Sequence, residues 1–225
     1  MSSQLFGTIP LRGNTPLAEG MIRLIFQHPH DERLLIKVMR EERFSPGRYV
    51  QSVPWLRIRR RYGVYRTYTR QISEYLELRA RFRGEPIPVE HLLGVADTDL
   101  GLGLVVEKIV GRDGRPAPTL RHIVLTEGYS QELEDRVIQL RDEVIEKDII
   151  TGDLHDSNIV AGYSESRGDS LVIVDGIGDK TLIPINSYSR IINRNSNMRH
   201  FRRVMEGMRQ VDRLRNQGRL SSILK

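Results

Sequence analysis

The sequence predicts an α+β protein of two lobes: residues 1–110 form an antiparallel sheet with one helix, and residues 111–225 form a smaller, mainly helical lobe. Three observations carry that expectation. Short apolar runs with strand character dominate as far as Val110, apolar residues at helical spacing dominate after Ser130, and Gly111-Arg112-Asp113-Gly114-Arg115-Pro116-Ala117-Pro118 separates them with turn-forming residues.

Taken in order, Met21 to Gln27 alternates partly, His28 to Arg33 supplies a turn, and Leu34 to Met39 follows as a second strand, so the pair reads as a hairpin. Tyr65 to Phe82 is mostly good helix formers, with Ile72, Tyr75, Leu76 and Leu78 apolar, until Gly84 and Pro86 stop it. Leu92 to Val110 reads as two strands around a polar, glycine-bearing turn. Ser130 is placed to cap a helix whose Leu133, Val137, Leu140 and Val144 form one apolar stripe, ending near Asp148. A short hairpin is expected between Asn158 and Val172. At the end, Met198, Phe201, Val204, Met205, Met208 and Val211 recur at helical spacing with arginines between them, which predicts an amphipathic helix with a basic face. No internal repeat is evident.

Composition narrows the function classes. The chain has 225 residues and no cysteine, which excludes disulfides, zinc-thiolate sites and cysteine nucleophiles. No run of eighteen apolar residues occurs, and the first residues carry neither a basic nor an apolar signal region, so a cytoplasmic address without membrane contact is expected. The net charge of +6 is unevenly spread. Arg190 to Lys225 holds ten basic and two acidic residues, leaving the rest of the chain nearly neutral. A second cluster, Trp55 to Arg70, holds six arginines, three tyrosines and the tryptophan with no acid. Such a stretch suits phosphates and bases, but its aromatics can equally turn inward under a solvated surface, and nucleic acid is not the expected partner.

The chemistry concentrates in Gly152-Asp153-Leu154-His155-Asp156-Ser157-Asn158 and in Val172-Ile173-Val174-Asp175-Gly176. Asp153 and Asn158 share a loop after a helix, and Asp175 closes an apolar strand. Two carboxylates and an amide so placed are hard oxygen ligands of the kind Mg²⁺ accepts while taking its other ligands from water and nucleotide phosphates. His155 has no companion His or Cys at ligand spacing and reads as a residue of the loop itself.

These residues resemble the protein-kinase-like fold. Gly152-Asp153-Leu154-His155 followed by Asn158 is closer to the loop of aminoglycoside and choline kinases than to that of eukaryotic protein kinases. Together with Asp175-Gly176-Ile177-Gly178-Asp179-Lys180-Thr181-Leu182-Ile183-Pro184 and Ile36-Lys37-Val38, they are similar to the YrbL family of bacterial PhoP-network proteins. The likeness runs across residues 16 to 205 and is most specific over 152 to 184.

The resemblance implies ATP and Mg²⁺ as cofactors. It makes Asp153 the catalytic carboxylate that orients or deprotonates an acceptor hydroxyl, and Asn158 and Asp175 the metal ligands. Lys37 becomes the strand lysine on the nucleotide phosphates, and Gly20 the surviving glycine of the phosphate-covering turn Leu17 to Gly20. Glu74 is the implied partner of Lys37, with Gln71 and Glu77 as alternatives on the same helix. Val105 to Ile109 becomes the hinge whose backbone meets adenine, at Glu107 and Ile109. Thr151 stands where protein kinases carry a histidine, and no Ala-Pro-Glu element follows Asp175, so a small-molecule acceptor is expected ahead of a protein. Three readings stay open: a phosphotransferase, a nucleotide-sensing regulator without turnover that uses the basic C-terminal helix for a protein partner, and a basic nucleic-acid-binding module.

Overall fold

Period-two burial in the first part of the chain and period-3.6 burial in the second are both realised in a computed structural model, which describes residues 7–43, 63–179 and 185–218. Two units form. One comprises Met1–Ile72 with His91–Lys108, the other Ser73–Glu90 with Ile109–Lys225. The architecture is mixed α+β, with an antiparallel sheet and several helices.

The first unit is built on five strands, β1 (Ala18–Glu19), β2 (Arg23–Gln27), β3 (Leu34–Met39), β4 (Leu92–Thr98) and β5 (Gly101–Glu107). Their order is β1-β2-β3-β5-β4, antiparallel throughout. The first hairpin begins earlier than the sequence predicts. Ala18 and Glu19 already pair with β2, so Met21 is not a strand residue but the tip of the turn, 86% exposed.

Alternation along β3 sorts its side chains. Ile36 and Val38 join Leu11 and Phe26 on one face, while Leu35 and Met39 join Tyr68, Leu104 and Val106 on the other. Lys37 shares the second face by register and is only 4% exposed.

Helix α1 (Arg66–Arg81) follows a 3₁₀ turn at Gly63–Tyr65, close to the predicted bounds, and stops before Gly84 at positive φ. Its early turns pack on the sheet through Tyr68 and Ile72. The Tyr68 hydroxyl donates to the Lys37 carbonyl at 2.7 Å. Arg23 is buried beneath, donating to Gln71 Oε1 at 2.8 Å and lying 5.1 Å from the Tyr68 ring centroid. The described tyrosines of the basic stretch thus turn inward, Tyr65 accepting the Leu102 N–H; Trp55 to Tyr62 of that cluster lie outside the described residues.

The second unit holds the hairpin β6 (Ile159–Ser164) and β7 (Gly168–Ile173), with Val89 bridging Ile173 in parallel, and the helices α2 (Leu120–Thr126), α3 (Gln131–Glu146), α4 (Ile185–Tyr188) and α5 (Arg190–Asn216). Ser130 caps α3 by accepting the Leu133 N–H, and Leu133, Val137, Leu140 and Val144 are its buried stripe, as the spacing predicts. That stripe packs on α5, as does α2. α5 begins at Arg190, well before Met198, and buries Phe201, Val204, Met208 and Val211; Met198 is exposed. Among the described residues, no helix is long and apolar enough to cross a membrane.

Candidate functional site

The loop from Ile149 to Asn158 has little regular structure, so side chains and one glycine must hold it. α3 ends with Asp148 at φ 50°, a left-handed turn that Asp tolerates, and its carboxylate accepts from Asn193 Nδ2 at 2.8 Å and Arg190 Nε at 3.2 Å. The next carbonyl, of Ile149, accepts from Asn197 Nδ2 at 2.8 Å, and the Ile150 N–H donates to Glu74 Oε1 at 2.8 Å. The start of the loop, residues 148–150, therefore has side-chain anchors on α1 and α5.

A second clamp comes from the strand end. The Gly176 carbonyl accepts from the N–H groups of both Gly152 (2.8 Å) and Asp153 (3.0 Å), and the Gly178 N–H donates to the Ile150 carbonyl (2.8 Å). Gly176 sits at φ 88°, and a Cβ there would stand 2.3 Å from the Asp153 carbonyl oxygen. Only glycine lets the two segments lie this close. Asp175 Oδ1 accepts the Gly176 N–H at 2.7 Å, which turns its carboxylate with the same bend.

Three predicted residues, Asp153, Asn158 and Asp175, are brought together here. Asn158 lies in a 3₁₀ turn with its carbonyl on the Val174 N–H and its Nδ2 donating to the Asp153 carbonyl at 3.0 Å. A carbonyl can only accept, so that bond fixes the amide orientation and turns Oδ1 away from it. All three side chains are half-buried. Asp153 Oδ1 meets His155 Nε2 at 2.8 Å, so the histidine is held within the loop. Buried Asp156, 4% exposed, pairs with Arg121 from α2 and anchors the 3₁₀ turn.

The donor chemistry fits a hard divalent cation. Among the described residues no group of three His, Asp or Glu could hold a metal alone. Asn158 and Asp175 could supply one amide oxygen and one carboxylate, the small protein share that Mg²⁺ takes when phosphates and water complete its shell.

Behind the loop lies a buried polar network that the sequence reading missed. Thr151 and Asn197 are fully buried, and Thr151 Oγ1 donates to Asn197 Oδ1 at 2.6 Å. That spends the only hydroxyl proton, so the contact of 2.9 Å with His200 Nδ1 is an N–H donated by the histidine. Burial, with Arg203 and Arg199 beside it, holds the His200 imidazole below its usual pKa, and Asp153 partly offsets them. The signal was present: Asn193 and Asn197 continue the buried stripe of α5 as its polar members.

The other predicted residues are placed as follows. Lys37 is buried on β3. Gly20 is exposed, its N–H on the Arg23 carbonyl at 2.8 Å and its carbonyl on Arg40 Nε at 2.7 Å; it is not among the glycines at positive φ. On α1, Gln71 takes Arg23, Glu77 is exposed, and Glu74 is the buried carboxylate. Burial pushes the Glu74 carboxyl up to about 7 despite the Ile150 hydrogen bond, with Glu77 and Asp148 adding to the rise. The Glu107 N–H donates to the His91 carbonyl, and the Ile109 carbonyl accepts from Ala117 N–H. The segment Lys180 to Pro184 lies outside the described residues.

Residues 9–209 match the family described as PhoP regulatory network protein YrbL. The chain is also 27% identical over 186 residues to the uncharacterized protein YrbL of Escherichia coli (strain K12), covering 81% of this chain and 79% of that one. The uncharacterized protein YrbL of Shigella flexneri matches with the same identity and coverage.

Proposed function

The chain belongs to the family of the PhoP regulatory network protein YrbL, and from that premise we propose that it serves bacterial regulation as a kinase-like protein that binds Mg·ATP and passes the γ-phosphate to a hydroxyl. One observation carries the reading. Asn158 gives its Nδ2 to the Asp153 carbonyl while Gly176 clamps the same loop beside Asp175, so Asp153, Asn158 and Asp175 come from three separate positions to one place, which supports these roles for them.

Each residue then has a task. Asp153 receives the proton of the acceptor hydroxyl or holds that hydroxyl in line, with His155 fixing one of its oxygens. Asn158 Oδ1 and the Asp175 carboxylate hold the cation. In the first unit, Lys37 serves the nucleotide phosphates and the turn at Gly20 covers them. Its strand is tied to α1 by Tyr68, which fixes the lysine backbone. Glu107 and Ile109 are the backbone positions for adenine, with the Glu107 N–H already on the His91 carbonyl and the Ile109 carbonyl on the Ala117 N–H. Glu74 holds the loop at Ile150. Bound Mg·ATP supplies the phosphoryl group and neutralises charge on its oxygens.

A second reading, nucleotide sensing without turnover, is favoured by the β1–β2 turn. It holds one glycine, without the positive φ that lets successive backbone amides approach a phosphate.

Thermal denaturation with and without Mg·ATP tests the binding. The wild type is expected to melt higher with Mg·ATP, and Asp175→Ala to lose that rise. An equal rise in both would remove the site from the reading. An ATP-consumption assay on wild type and Asp153→Asn then separates turnover from sensing: activity lost in the variant supports the phosphotransferase, and activity unchanged overturns the role of Asp153.

A further inference from the structure

Basic side chains are common on α5, but most near its ends meet an acid. Arg190 pairs with Asp148, Arg209 with Glu134, and Arg215 lies near Asp212. Arg199 and Arg203 are exposed and have no ion pair among the described residues. They are four residues apart, so their Cβ atoms are neighbours on one helix face, and two like charges so spaced repel one another unless an anion lies between them.

Their position along the helix is set by His200. At about 100° per residue, Arg199 and Arg203 stand about 100° and 60° round the helix from it, both on the same side. His200 touches Thr151, two residues before Asp153. Arg199, Arg203, Asp153 and His155 are all close enough to His200 to bias its proton. The two guanidinium groups therefore stand on one side of the histidine that contacts the loop at Thr151, and among the described residues no acid pairs with them.

We propose that Arg199 and Arg203 bind the anionic part of the phosphoryl acceptor, which is a small hydroxyl compound bearing a phosphate or carboxylate group. This rests on the kinase reading for the word acceptor; the anion site itself does not. Two guanidinium groups match the oxygens of such a group with charge-assisted, directional hydrogen bonds, and would hold its hydroxyl arm toward Asp153.

The test uses inorganic phosphate and, separately, acetate as probes, without nucleotide, followed by the imidazole NMR signals of the full chain. The chain has six histidines, so His155 and His200 serve as local reporters against the other four. Phosphate or acetate is expected to move the His155 and His200 signals selectively, and Arg199→Ala/Arg203→Ala to weaken that binding at least tenfold. The stronger probe identifies the anion class. Arg202→Ala, an equally exposed charge about 200° round the helix from His200, is expected to change binding less than twofold. Lys37→Met is expected to leave the histidine response intact, which separates this site from a phosphate-binding lysine. Equal movement of all six histidines, or equal loss in the Arg202 variant, would mean a merely solvated basic face and overturn the proposal. Mg·ATP stabilisation measured on Arg199→Ala/Arg203→Ala keeps the two readings apart: it is expected to persist, and its absence from wild type would overturn the nucleotide reading while leaving the phosphate result standing.

Discussion

The backbone of Gly176 lies so near Asp153 that a β-carbon on the glycine would stand 2.3 Å from the Asp153 carbonyl oxygen. The same glycine carbonyl takes the Gly152 and Asp153 N–H groups. Close approach and double hydrogen bonding are one device: a left-handed residue without a side chain turns the strand end so that its carbonyl faces the loop. The position of the Asp153 side chain thus depends on a residue with no side chain.

Gly176→Ala is therefore expected to separate the two segments. The left-handed conformation alone costs about 1–3 kcal/mol in a non-glycine residue, and the carbonyl contact adds to it. A urea midpoint clearly below wild type, with loss of Mg·ATP stabilisation even where the variant is fully folded, is the expected pair of results. An unchanged midpoint would show that the loop yields without cost.

Much of this was legible beforehand, and the rest has physical reasons for being hidden. The α3 stripe and its Ser130 cap could be read because a buried face on a solvated helix leaves a clean 3.6-residue period. That Asp153, Asn158 and Asp175 come together could be expected from a polar loop after a helix and an apolar strand that ends in Asp-Gly. α2 was not seen: with Leu120 and Val124 as its buried residues, seven residues are too few to show a period, and its Thr119 cap resembles any loop threonine. Arg23, Asn193 and Asn197 read as surface residues by type, yet all three are buried. Asn193 and Asn197 do continue the helical spacing of the buried α5 residues, whereas the burial of Arg23 is decided by Gln71, far along the chain, which local periodicity cannot carry. The opening strand was misjudged at Met21 because an apolar residue at a turn tip counts toward the alternation although nothing covers it.

Glu74 predicts a pH dependence. Its folded pKa of about 7 lies above the ordinary 4.5, so the native state binds the extra proton between those values. The associated stability is fully present below the unfolded pKa and is lost as pH rises through about 7. The loss amounts to about 3 kcal/mol between the protonated and ionised limits. Glu74→Gln keeps an oxygen for the Ile150 N–H but cannot ionise. Its melting temperature is expected to match wild type near pH 4.5 and to exceed it increasingly up to pH 8; a constant difference across that range would show that Glu74 ionises as readily folded as unfolded.

Tyr68→Phe removes the hydroxyl that donates to the Lys37 carbonyl while keeping the ring under Arg23. A loss of about 1 kcal/mol is expected from the missing hydrogen bond. Because that carbonyl belongs to the residue assigned to the phosphates, the Mg·ATP-induced rise in melting temperature should also shrink. Stability lost with the nucleotide effect intact would limit Tyr68 to holding α1 on the sheet.

The buried pair of Thr151 and Asn197 offers the sharpest energetic test, because it links the loop of residues 149–158 to α5 by a chain of single-proton bonds. Thr151→Val leaves Asn197 Oδ1 and the His200 Nδ1–H without their partner, and Asn197→Leu leaves the Thr151 hydroxyl without its acceptor and the Ile149 carbonyl with only the 3.2 Å bond from Asn193 Nδ2; each is expected to cost about 1–3 kcal/mol. Removing both side chains together orphans fewer groups than the single changes do separately, since the hydroxyl and amide that would have lacked each other are both gone. The double variant should therefore be less destabilised than the sum of the two, by at least about 0.5 kcal/mol, the least expected of residues in one hydrogen-bond network. Urea denaturation of the four proteins measures the coupling. Strict additivity would mean that the two side chains hold the loop independently, and the orientation of Asp153 would then rest on Gly176 and Glu74 rather than on α5.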